Sequence, residues 1–261
     1  RRSKIKILSS DHAPELSARL LTGTPDDQPL PPAQMRLGTT RGTNALLEEQ
    51  GAEVVFFVTK GFGDLLRIGD QRRPDLFALR VEKPQPLHAY VVEVPGRLDA
   101  EGNEISPLQL NDISDSAKEH LANSRTVAAV ALLHSHRNAA HEAELKNHLV
   151  DLGFEYVACS AELAPFIKVV PRAETAVVDA YLGPLMAEYL DRVKSSLGGG
   201  RLRVMTSAGG LVSRENYRAK DSLLSGPAGG VVGAAAVARR AGGTTPACCR
   251  ARPPSSRRWR R

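Results

Sequence analysis

Apolar residues in this chain occur in short runs that are separated by stretches with helical spacing. The run Val54–Val58 places five β-forming residues between Gly51 and Gly61, a pattern typical of a strand buried on both faces of a parallel or mixed sheet. Three further runs predict strands: Tyr90–Val94, Thr126–Leu133 and Tyr156–Cys159. Helices are predicted between them: Phe62–Ile68, 112–123 and His141–Leu152. Strands that alternate with helices indicate an α/β layered fold.

The N-terminal part of the chain predicts a strand at Ile5–Leu8 and a helix at Ala13–Leu21. A second helix should begin near Thr43 or Asn44, since either side chain suits an N-cap. Gly51 stands where a glycine would close that helix.

The strongest helical pattern covers residues 174–197, and Gly183-Pro184 should kink that helix or divide it into two. Three shorter elements are predicted after it: a strand at Leu202–Thr206, a glycine turn at Ser207–Gly210 and a helix at Val212–Tyr217.

The composition is that of a folded soluble protein, with 42% hydrophobic and 25% charged residues and no apolar stretch of membrane-spanning length. The net charge of +6 comes from six arginines within 246–261, and the rest of the chain is neutral. A basic tail on a neutral body is typical of an unstructured end, which disfavours nucleic acid as a partner. Arg1–Lys4 contain no secretory signal, and Cys159 is alone in the body of the chain, so we expect a cytoplasmic protein.

Small residues dominate Leu224–Ala236. Glycines at the opening of a helix leave backbone N–H groups reachable, and such a helix start binds anions such as phosphate. The same residues also suit a closely packed helix crossing, so the sequence leaves both interpretations open. No Gly-Lys-Ser/Thr follows, which excludes a Walker loop.

The segment Gly38–Asn44 gathers three hydroxyls, an amide and an arginine at a helix entrance. These groups suit an anionic or amide-bearing ligand, and a simple turn with an N-cap is the alternative. A charged irregular stretch that contains Asp70, Arg73 and Asp75 is a further candidate, with a solvated loop as its alternative.

His134 and His136 lie two residues apart at a strand end, and His141 is near them in the sequence. Three imidazoles suit zinc, but no cysteine or carboxylate completes a familiar ligand spacing, so we predict no metal site. Cys159 lacks any motif that would mark a nucleophile.

Several of these stretches, taken in order, resemble the hydantoinase A/5-oxoprolinase family. The matching stretches are Leu37–Thr40, Thr43–Glu48, Val58–Leu66, Ile68–Phe77, Lys83–Leu87, Thr175–Tyr189, Ser207–Leu211 and Leu224–Gly230. The resemblance covers roughly residues 4–243. Each stretch is modest alone, whereas the ordered set is highly specific.

The resemblance implies an α/β fold of the actin-like ATPase (ribonuclease H-like) type, with the first lobe nearly complete and the second lobe truncated. It implies ATP and Mg²⁺ as cofactors and a cyclic amide, such as 5-oxoproline or a hydantoin, as substrate. In that chemistry ATP phosphorylates the amide oxygen, and water then opens the ring. The implied partner is a hydantoinase B-type subunit or domain.

The resemblance also implies two groups of site residues. The first group lies in the substrate or nucleotide cleft: Gly38, Thr39, Thr40, Thr43, Asn44, Asp70, Arg73 and Asp75. The second group lies near the phosphates, at the start of the helix that crosses between the lobes: Ser225, Gly226, Pro227, Gly229 and Gly230.

The chain departs from the family at the two aspartate-bearing phosphate loops. The family's opening strand and its Asp-x-Gly-Gly-Thr loop are expected before the position of Arg1 and are missing here, and the Gly-Gly-Thr at Gly242–Thr244 has no Asp two residues before it. We therefore expect an N-terminal domain over 1–172 without its first strand and phosphate loop, the start of a hydantoinase A domain over 173–243, and a disordered basic tail, resembling out-of-frame sequence, over 244–261.

This segment alone is expected to be inactive. Two alternatives to the cyclic-amide hydrolase remain open: an ATP-using subunit of the acetone carboxylase type, and a non-enzymatic remnant with a basic tail.

Overall fold

The structure is a computed structural model that describes residues 13–70 and 83–242. The predicted strand Ile5–Leu8 and the basic tail lie outside the described residues. The described chain divides into two compact units. The first unit takes in the chain up to Asn44, Tyr189–Tyr217 and the segment from Asp221 onward, and the second takes in Ala45–Glu188 and Arg218–Lys220.

Strands and helices alternate through most of the described chain. The strands are β1 (Gln34–Leu37), β2 (Val54–Thr59), β3 (His88–Val94), β4 (Arg97–Leu98), β5 (Glu104–Ser106), β6 (Val127–Ala131), β7 (Tyr156–Cys159), β8 (Arg201–Met205) and β9 (Leu211–Ser213). The α-helices are α1 (Ala13–Thr22), α2 (Arg41–Leu47), α3 (Leu65–Ile68), α4 (Leu110–Ala122), α5 (Ala140–Leu152), α6 (Ser160–Leu163), α7 (Val169–Ser196) and α8 (Ser225–Arg240). A 3₁₀ turn covers Ala219–Ser222.

The second unit is built on a four-stranded, all-parallel sheet with the order β3-β2-β6-β7. Strand β2 pairs with neighbours on both sides, and all six of its residues are buried. The predicted parallel arrangement of the Val54–Val58 strand is therefore confirmed. A parallel sheet covered on both faces needs apolar side chains pointing both ways, which explains the unbroken run.

Helices α4 and α5 supply the hydrophobic cover for one face of this sheet. Phe57 of β2 meets Phe154 edge-on, with 5.8 Å between the ring centroids. Ile113 and Ala117 from α4, and Leu145 and Leu149 from α5, complete the buried cluster. The apolar spacing along both helices accounts for their place against the sheet.

Helix α7 is continuous over 28 residues and contains Pro184 in its interior. The helix is therefore not divided at Gly183-Pro184, and of the two predicted outcomes only the kink stays a prediction. An internal proline removes one backbone hydrogen bond and costs about 3 kcal/mol. The neighbouring side chains of Ala180, Leu182 and Met186 are fully buried, so tertiary packing offsets that cost.

The first unit contains a smaller mixed sheet with the order β1-β8-β9. Strand β1 runs parallel to β8, and β9 runs antiparallel to β8 with Val212 opposite Val204. The predicted helix at Val212–Tyr217 is therefore wrong. The glycine turn before it, with Gly209 at φ +81°, returns the chain alongside β8, so the apolar residues pair as a strand.

Helix α2 begins two residues before the predicted cap. Thr39 Oγ1 accepts a hydrogen bond from the Arg41 N–H at 3.1 Å, so Thr39 supplies the capping hydroxyl and Thr43 lies inside the helix. Glu49, with φ 55°, takes the left-handed position at the other end. Gly51 does not take that position. It packs against the ring of Tyr181, where a Cβ atom added at residue 51 would lie 2.1 Å from Cε1.

None of the helices in the described chain combines the length and the apolar composition that crossing a bilayer requires.

Candidate functional site

Two predicted site segments of the first unit, the turn before α2 and the start of α8, are joined by hydrogen bonds. Ser225 is the first residue of α8 and is fully buried. Its hydroxyl donates to the Thr39 carbonyl at 2.8 Å and to the Ser222 carbonyl at 2.9 Å. A buried hydroxyl that shares its one proton between these two carbonyls fixes the helix start against the turn.

A second hydrogen bond and two close approaches reinforce this contact. Thr43 Oγ1 donates to the Leu223 carbonyl at 2.5 Å. A Cβ atom added at Gly226 would lie 3.2 Å from Thr40 Cγ2, and one added at Gly38 would lie 3.8 Å from the Ser225 carbonyl oxygen. The approach at Gly226 is tighter than an ordinary contact and favours glycine there, whereas the distance at Gly38 would accommodate a Cβ atom.

The first turn of α8 has the chemistry of an anion-binding helix start. Its leading N–H groups, including those of Ser225 and Gly226, have no carbonyl one turn before them in the helix. Pro227 has no N–H and is tolerated in a first turn, where that group would lack an intrahelical partner. The first turn of α8 contains no acidic side chain, so no carboxylate within that turn neutralises the positive end of the helix dipole.

The alternative of a closely packed helix crossing applies only to the beginning of α8. A Cβ atom added at Gly229 would lie 3.6 Å from Met205 Cγ, an ordinary contact, and Cβ atoms added at Gly230 or Gly233 would meet no described atom within 4 Å. Val237 is 69% exposed. Close packing thus gives a steric reason for Gly226, and the later glycines face open space within the described chain.

Asn44 lies within α2, where its N–H donates to the Thr40 carbonyl at 2.8 Å. The helix ladder therefore uses its backbone, and its exposed side chain lies one turn after Thr40. The turn residues Gly38, Thr39, Thr40 and Thr43 come together with Ser225 and Gly226, as the preceding contacts show.

Asp70 belongs to the second unit, whereas the turn and the start of α8 belong to the first. Asp70 comes directly after Gly69, which lines a cavity of about 580 Å³ beyond the ends of β2 and β3. The other lining residues are Gly61–Leu65, Ile68 and Glu93. Arg73 and Asp75 lie outside the described residues.

Glu93 is a residue of this cavity that the sequence reasoning missed. Its Oε1 accepts a hydrogen bond from the Gly63 N–H at 3.0 Å, and a Cβ atom at Gly63 would lie 2.9 Å from the same oxygen. A carboxylate inside the apolar run Tyr90–Val94 was the available signal.

The three histidines of the predicted strand end do not converge. The rings of His134 and His136 lie 6.2 Å apart, whereas His141 Nε2 is 2.8 Å from Glu104 Oε2. No group of three metal-ligating side chains occurs in the part of the chain that the structure describes.

Cys159 is fully buried in the core of the second unit. Burial, assisted by the nearby Glu142 and Glu162 carboxylates, raises the pKa of its thiol far above the ordinary value. The side chain therefore stays protonated and acts as a small core residue rather than a nucleophile.

Two family models match the chain in consecutive segments. The model described as "Hydantoinase/oxoprolinase N-terminal region" matches residues 2–153, and the model described as "Hydantoinase/oxoprolinase" matches residues 172–248. Together they include the turn before α2 and the start of α8.

Curated relatives from several kingdoms are similar to this chain. The chain is 39% identical over 222 residues to 5-oxoprolinase 1 of Arabidopsis thaliana, and 35% identical over 229 residues to 5-oxoprolinase of Saccharomyces cerevisiae. Each match covers 76% of this chain and 18% of the relative. The alpha subunit of caprolactamase from Pseudomonas jessenii is 32% identical over 208 residues, with 73% of this chain and 29% of the relative covered. The chain thus spans less than a third of these relatives.

Two solved structures share the fold. The ATP-dependent caprolactamase from Pseudomonas jessenii matches with a TM-score of 0.68 and 29% identity, over 78% of this chain and 31% of that chain. Nucleotide-free acetone carboxylase matches with a TM-score of 0.69 and 21% identity, over 80% of this chain and 32% of that chain. The predicted α/β, actin-like ATPase fold is confirmed.

Proposed function

The chain belongs to the hydantoinase/oxoprolinase family, and from that membership we propose that it is a segment of an ATP-dependent hydrolase that opens a cyclic amide of the 5-oxoproline or hydantoin type. The observation that carries this proposal is the 39% identity to a 5-oxoprolinase over 222 residues. That identity extends over most of the described residues rather than over one short motif.

The proposed reaction solves a problem of electrophilicity. An amide carbonyl is a poor electrophile, and transfer of the γ-phosphoryl group of ATP to its oxygen, with release of ADP, creates a good leaving group. Water then adds to the carbon, and the ring C–N bond of the tetrahedral adduct breaks, so the nitrogen leaves as the amine and an acyl phosphate remains. A second water hydrolyses the acyl phosphate to the carboxylate and inorganic phosphate. The protein's share in such chemistry is positioning and charge stabilisation.

We assign the interlocked segments of the first unit to the phosphate side of this reaction. The N–H groups that open α8 suit a phosphate, and the contact of Gly226 with Thr40 holds the helix start against the turn before α2. In this proposal Ser225, Pro227, Gly229 and Gly230 shape the helix start. Thr39, Thr40, Thr43 and Asn44 complete this set within the first unit. The assignment of Asp70, Arg73 and Asp75 to substrate or nucleotide binding rests on the family resemblance alone.

The fit to Mg²⁺ is different. The described residues supply no cluster of three carboxylate or imidazole ligands. The share of the reaction that falls to this chain is therefore contact with the phosphates, and no reaction step is assigned to the metal.

We further propose that the complete enzyme works with a hydantoinase B-type subunit or domain. One relative of this chain is named as an alpha subunit, which is consistent with an assembly of several subunits. The similarity to acetone carboxylase, at 21% identity, supports the fold and does not favour a carboxylase activity.

The function is tested by transplanting residues 13–242 into 5-oxoprolinase 1 of Arabidopsis thaliana in place of the aligned segment. The chimera is expected to release phosphate from ATP in a manner that depends on 5-oxoproline. A folded chimera that hydrolyses ATP without responding to 5-oxoproline or a hydantoin would contradict the proposal.

A matched pair of serine variants in the chimera tests the assigned residues. Ser225→Ala removes the hydrogen bond to the Thr39 carbonyl. We expect kcat/KM to fall by about tenfold, because that factor corresponds to the net contribution of one hydrogen bond between neutral groups. Ser195→Ala removes a hydroxyl that bonds only within its own helix, to the Arg192 carbonyl, and should leave kcat/KM unchanged. Equal effects of the two changes would overturn the assignment.

The chain alone is expected to bind Mg-ATP weakly or not at all. Isothermal titration that gave micromolar affinity would contradict this expectation.

A further inference from the structure

A cavity of about 320 Å³ lies in the second unit beside the segment that follows β6. Its wall includes His134, His136 and Arg137, which come directly after the end of that parallel strand. In open parallel sheets, ligands bind outside the carboxyl ends of the strands. The position of the cavity in the fold is thus one where small molecules are bound in many α/β proteins.

The polar lining of the cavity is predominantly basic. His134, His136, Arg137 and Arg172 face one acid, Glu101. Arg137 is exposed, and its guanidinium makes no ion pair with any residue that the structure describes. His134 has φ 63°, a left-handed conformation that is uncommon outside glycine.

Arg172 is fully buried and contributes from the inner side of the cavity. One of its terminal nitrogens donates to the hydroxyls of Ser135 and Ser160 and lies 3.4 Å from Glu142 Oε1. The other donates to the Leu132 carbonyl at 2.9 Å. Its Nε has no hydrogen-bond partner among the described residues.

The carboxylate of Glu142 forms an ion pair with Arg172 and with no other basic group of the cavity wall among the described residues. It is buried and already accepts four hydrogen bonds besides its contact with Arg172. The donors are the Leu132 N–H, the Ser135 hydroxyl, the Ser160 hydroxyl and the Ala161 N–H, at 2.6 to 2.8 Å. Glu142 thus pairs with Arg172, and Glu101 is the one acid in the wall beside Arg137.

His136 adds a second unpartnered group. Its Nδ1 is buried and has no hydrogen-bond partner within the described chain. Burial lowers the pKa of His136, and the neighbouring Arg172, Arg137 and His134 lower it further. The ring therefore lies in a positive field, and a bound anion would reverse that effect.

We propose that this cavity binds a small oxyanion, either a carboxylate or a phosphate group, through Arg137, His136 and the Nε of Arg172. A planar or tetrahedral oxyanion offers the acceptors that these donors lack, and a guanidinium at the entrance matches its charge. The apolar side chains of Leu133 and Val169 in the wall leave room for a short apolar substituent. This site lies within the second unit and does not depend on the proposed hydrolase activity.

The proposal is tested by calorimetric titration of the full chain with two probes, inorganic phosphate and propionate, at constant ionic strength. We expect saturable binding of at least one probe, with a Kd on the order of 1 mM or tighter. The probe that binds more tightly identifies the source of the oxyanion. Absence of saturable heat with both probes would overturn the proposal.

A pair of charge-matched variants locates the site. Arg137→Gln removes an exposed charge and should raise Kd by about fivefold or more. Arg67→Gln removes the same charge from an exposed position of α3, outside the cavity, and should leave Kd unchanged. Equal weakening by both variants would show general screening and would overturn the proposal, as would binding that is unaffected by Arg137→Gln.

The NMR signals of the His136 ring give an independent measurement. Addition of the bound probe should raise the pKa at which this ring titrates, whereas His120, outside the cavity, should keep its value. An unchanged His136 titration under saturating probe would overturn the assignment.

Discussion

The two units differ in how far they bury their valine side chains. In the second unit, the valines of β2 pair with strands on both sides and are buried. In the first unit, Val231, Val232 and Val237 of α8 are 46%, 44% and 69% exposed. Apolar composition alone therefore does not decide burial. The number of neighbouring elements that an apolar segment acquires within its own unit decides it.

The comparison locates the stabilising interactions. The second unit has a continuous core between sheet and helices and an internal ion pair between Arg172 and Glu142. The first unit is held together more by hydrogen bonds between backbone segments, as at Ser225 and Thr43. Substitutions in the two units should therefore have effects of very different size.

The largest effect is expected for Glu142→Ala. It leaves the guanidinium of Arg172 buried without its carboxylate, which costs about 3–5 kcal/mol. Urea denaturation followed by circular dichroism measures the loss. Glu144→Ala, at an exposed position of the same helix, is the control and should change the free energy of unfolding little. Similar losses for the two variants would show that the ion pair is not the cause.

A smaller effect is expected for Leu149→Ala in α5, a fully buried core position. The lost burial and the cavity left behind cost about 2–5 kcal/mol. Val237→Ala in α8 should change the stability by less than about 0.5 kcal/mol, because that side chain is mostly exposed. If denaturation showed equal losses, the contrast between the units would be wrong.

Asp179 gives a prediction about pH. Burial raises the pKa of this carboxyl above its ordinary value of 3.8, although the Lys220 N–H and the Tyr156 hydroxyl donate to it. The folded state therefore binds a proton more strongly than the unfolded state. This group's contribution to stability is lost as the pH rises from 3.8 through the raised pKa.

Asp179→Asn removes that titration. The variant should gain stability relative to the unmodified chain as the pH rises, with the gain complete once the native carboxyl is ionised. Urea denaturation between about pH 4 and about pH 7 measures it. Asp115→Asn, at an exposed position of α4, should show no such trend. A difference that did not vary with pH would contradict the argument.

The smallest effects separate two glycines of α8. Gly233→Ala places a methyl group in open space within a helix and should stabilise by about 0.5–1 kcal/mol. Gly226→Ala places its Cβ 3.2 Å from Thr40 Cγ2, so crowding should cancel most of that gain. Thermal denaturation of both variants measures the difference. Equal melting temperatures would mean that the Thr40 side chain moves aside without cost and that Gly226 is not sterically required.

The sequence predicted the second unit well because its periodic patterns are strong. The unbroken apolar run of β2 and the spacing of Ile113 and Ala117 in α4 leave few alternatives. The helix at Val212–Tyr217 was predicted wrongly because so few apolar residues fit either state, and pairing with β8 decides between them. At Pro184 the helix is not divided, although a proline inside a helix favours a break, because the packing around α7 offsets the lost hydrogen bond.

The candidate site could be predicted only in part. The motifs identified the turn and the start of α8, but the hydrogen bond from Ser225 to Thr39 joins residues 186 positions apart. No periodicity records such a contact. Arg172 and Glu142 were missed for the same reason, since each looks like an ordinary charged residue until the fold buries it.

The pairing of β2 with β6 has a consequence for synthesis of the chain. Val54 pairs with Val127, so β2 leaves the ribosome roughly seventy residues before its partner. At about 5–20 residues per second, the delay is on the order of 4–15 s. During that interval an uncharged, strongly β-forming segment lacks its β6 neighbour, even after β3 has been made, so one of its edges stays unpaired and open to other chains.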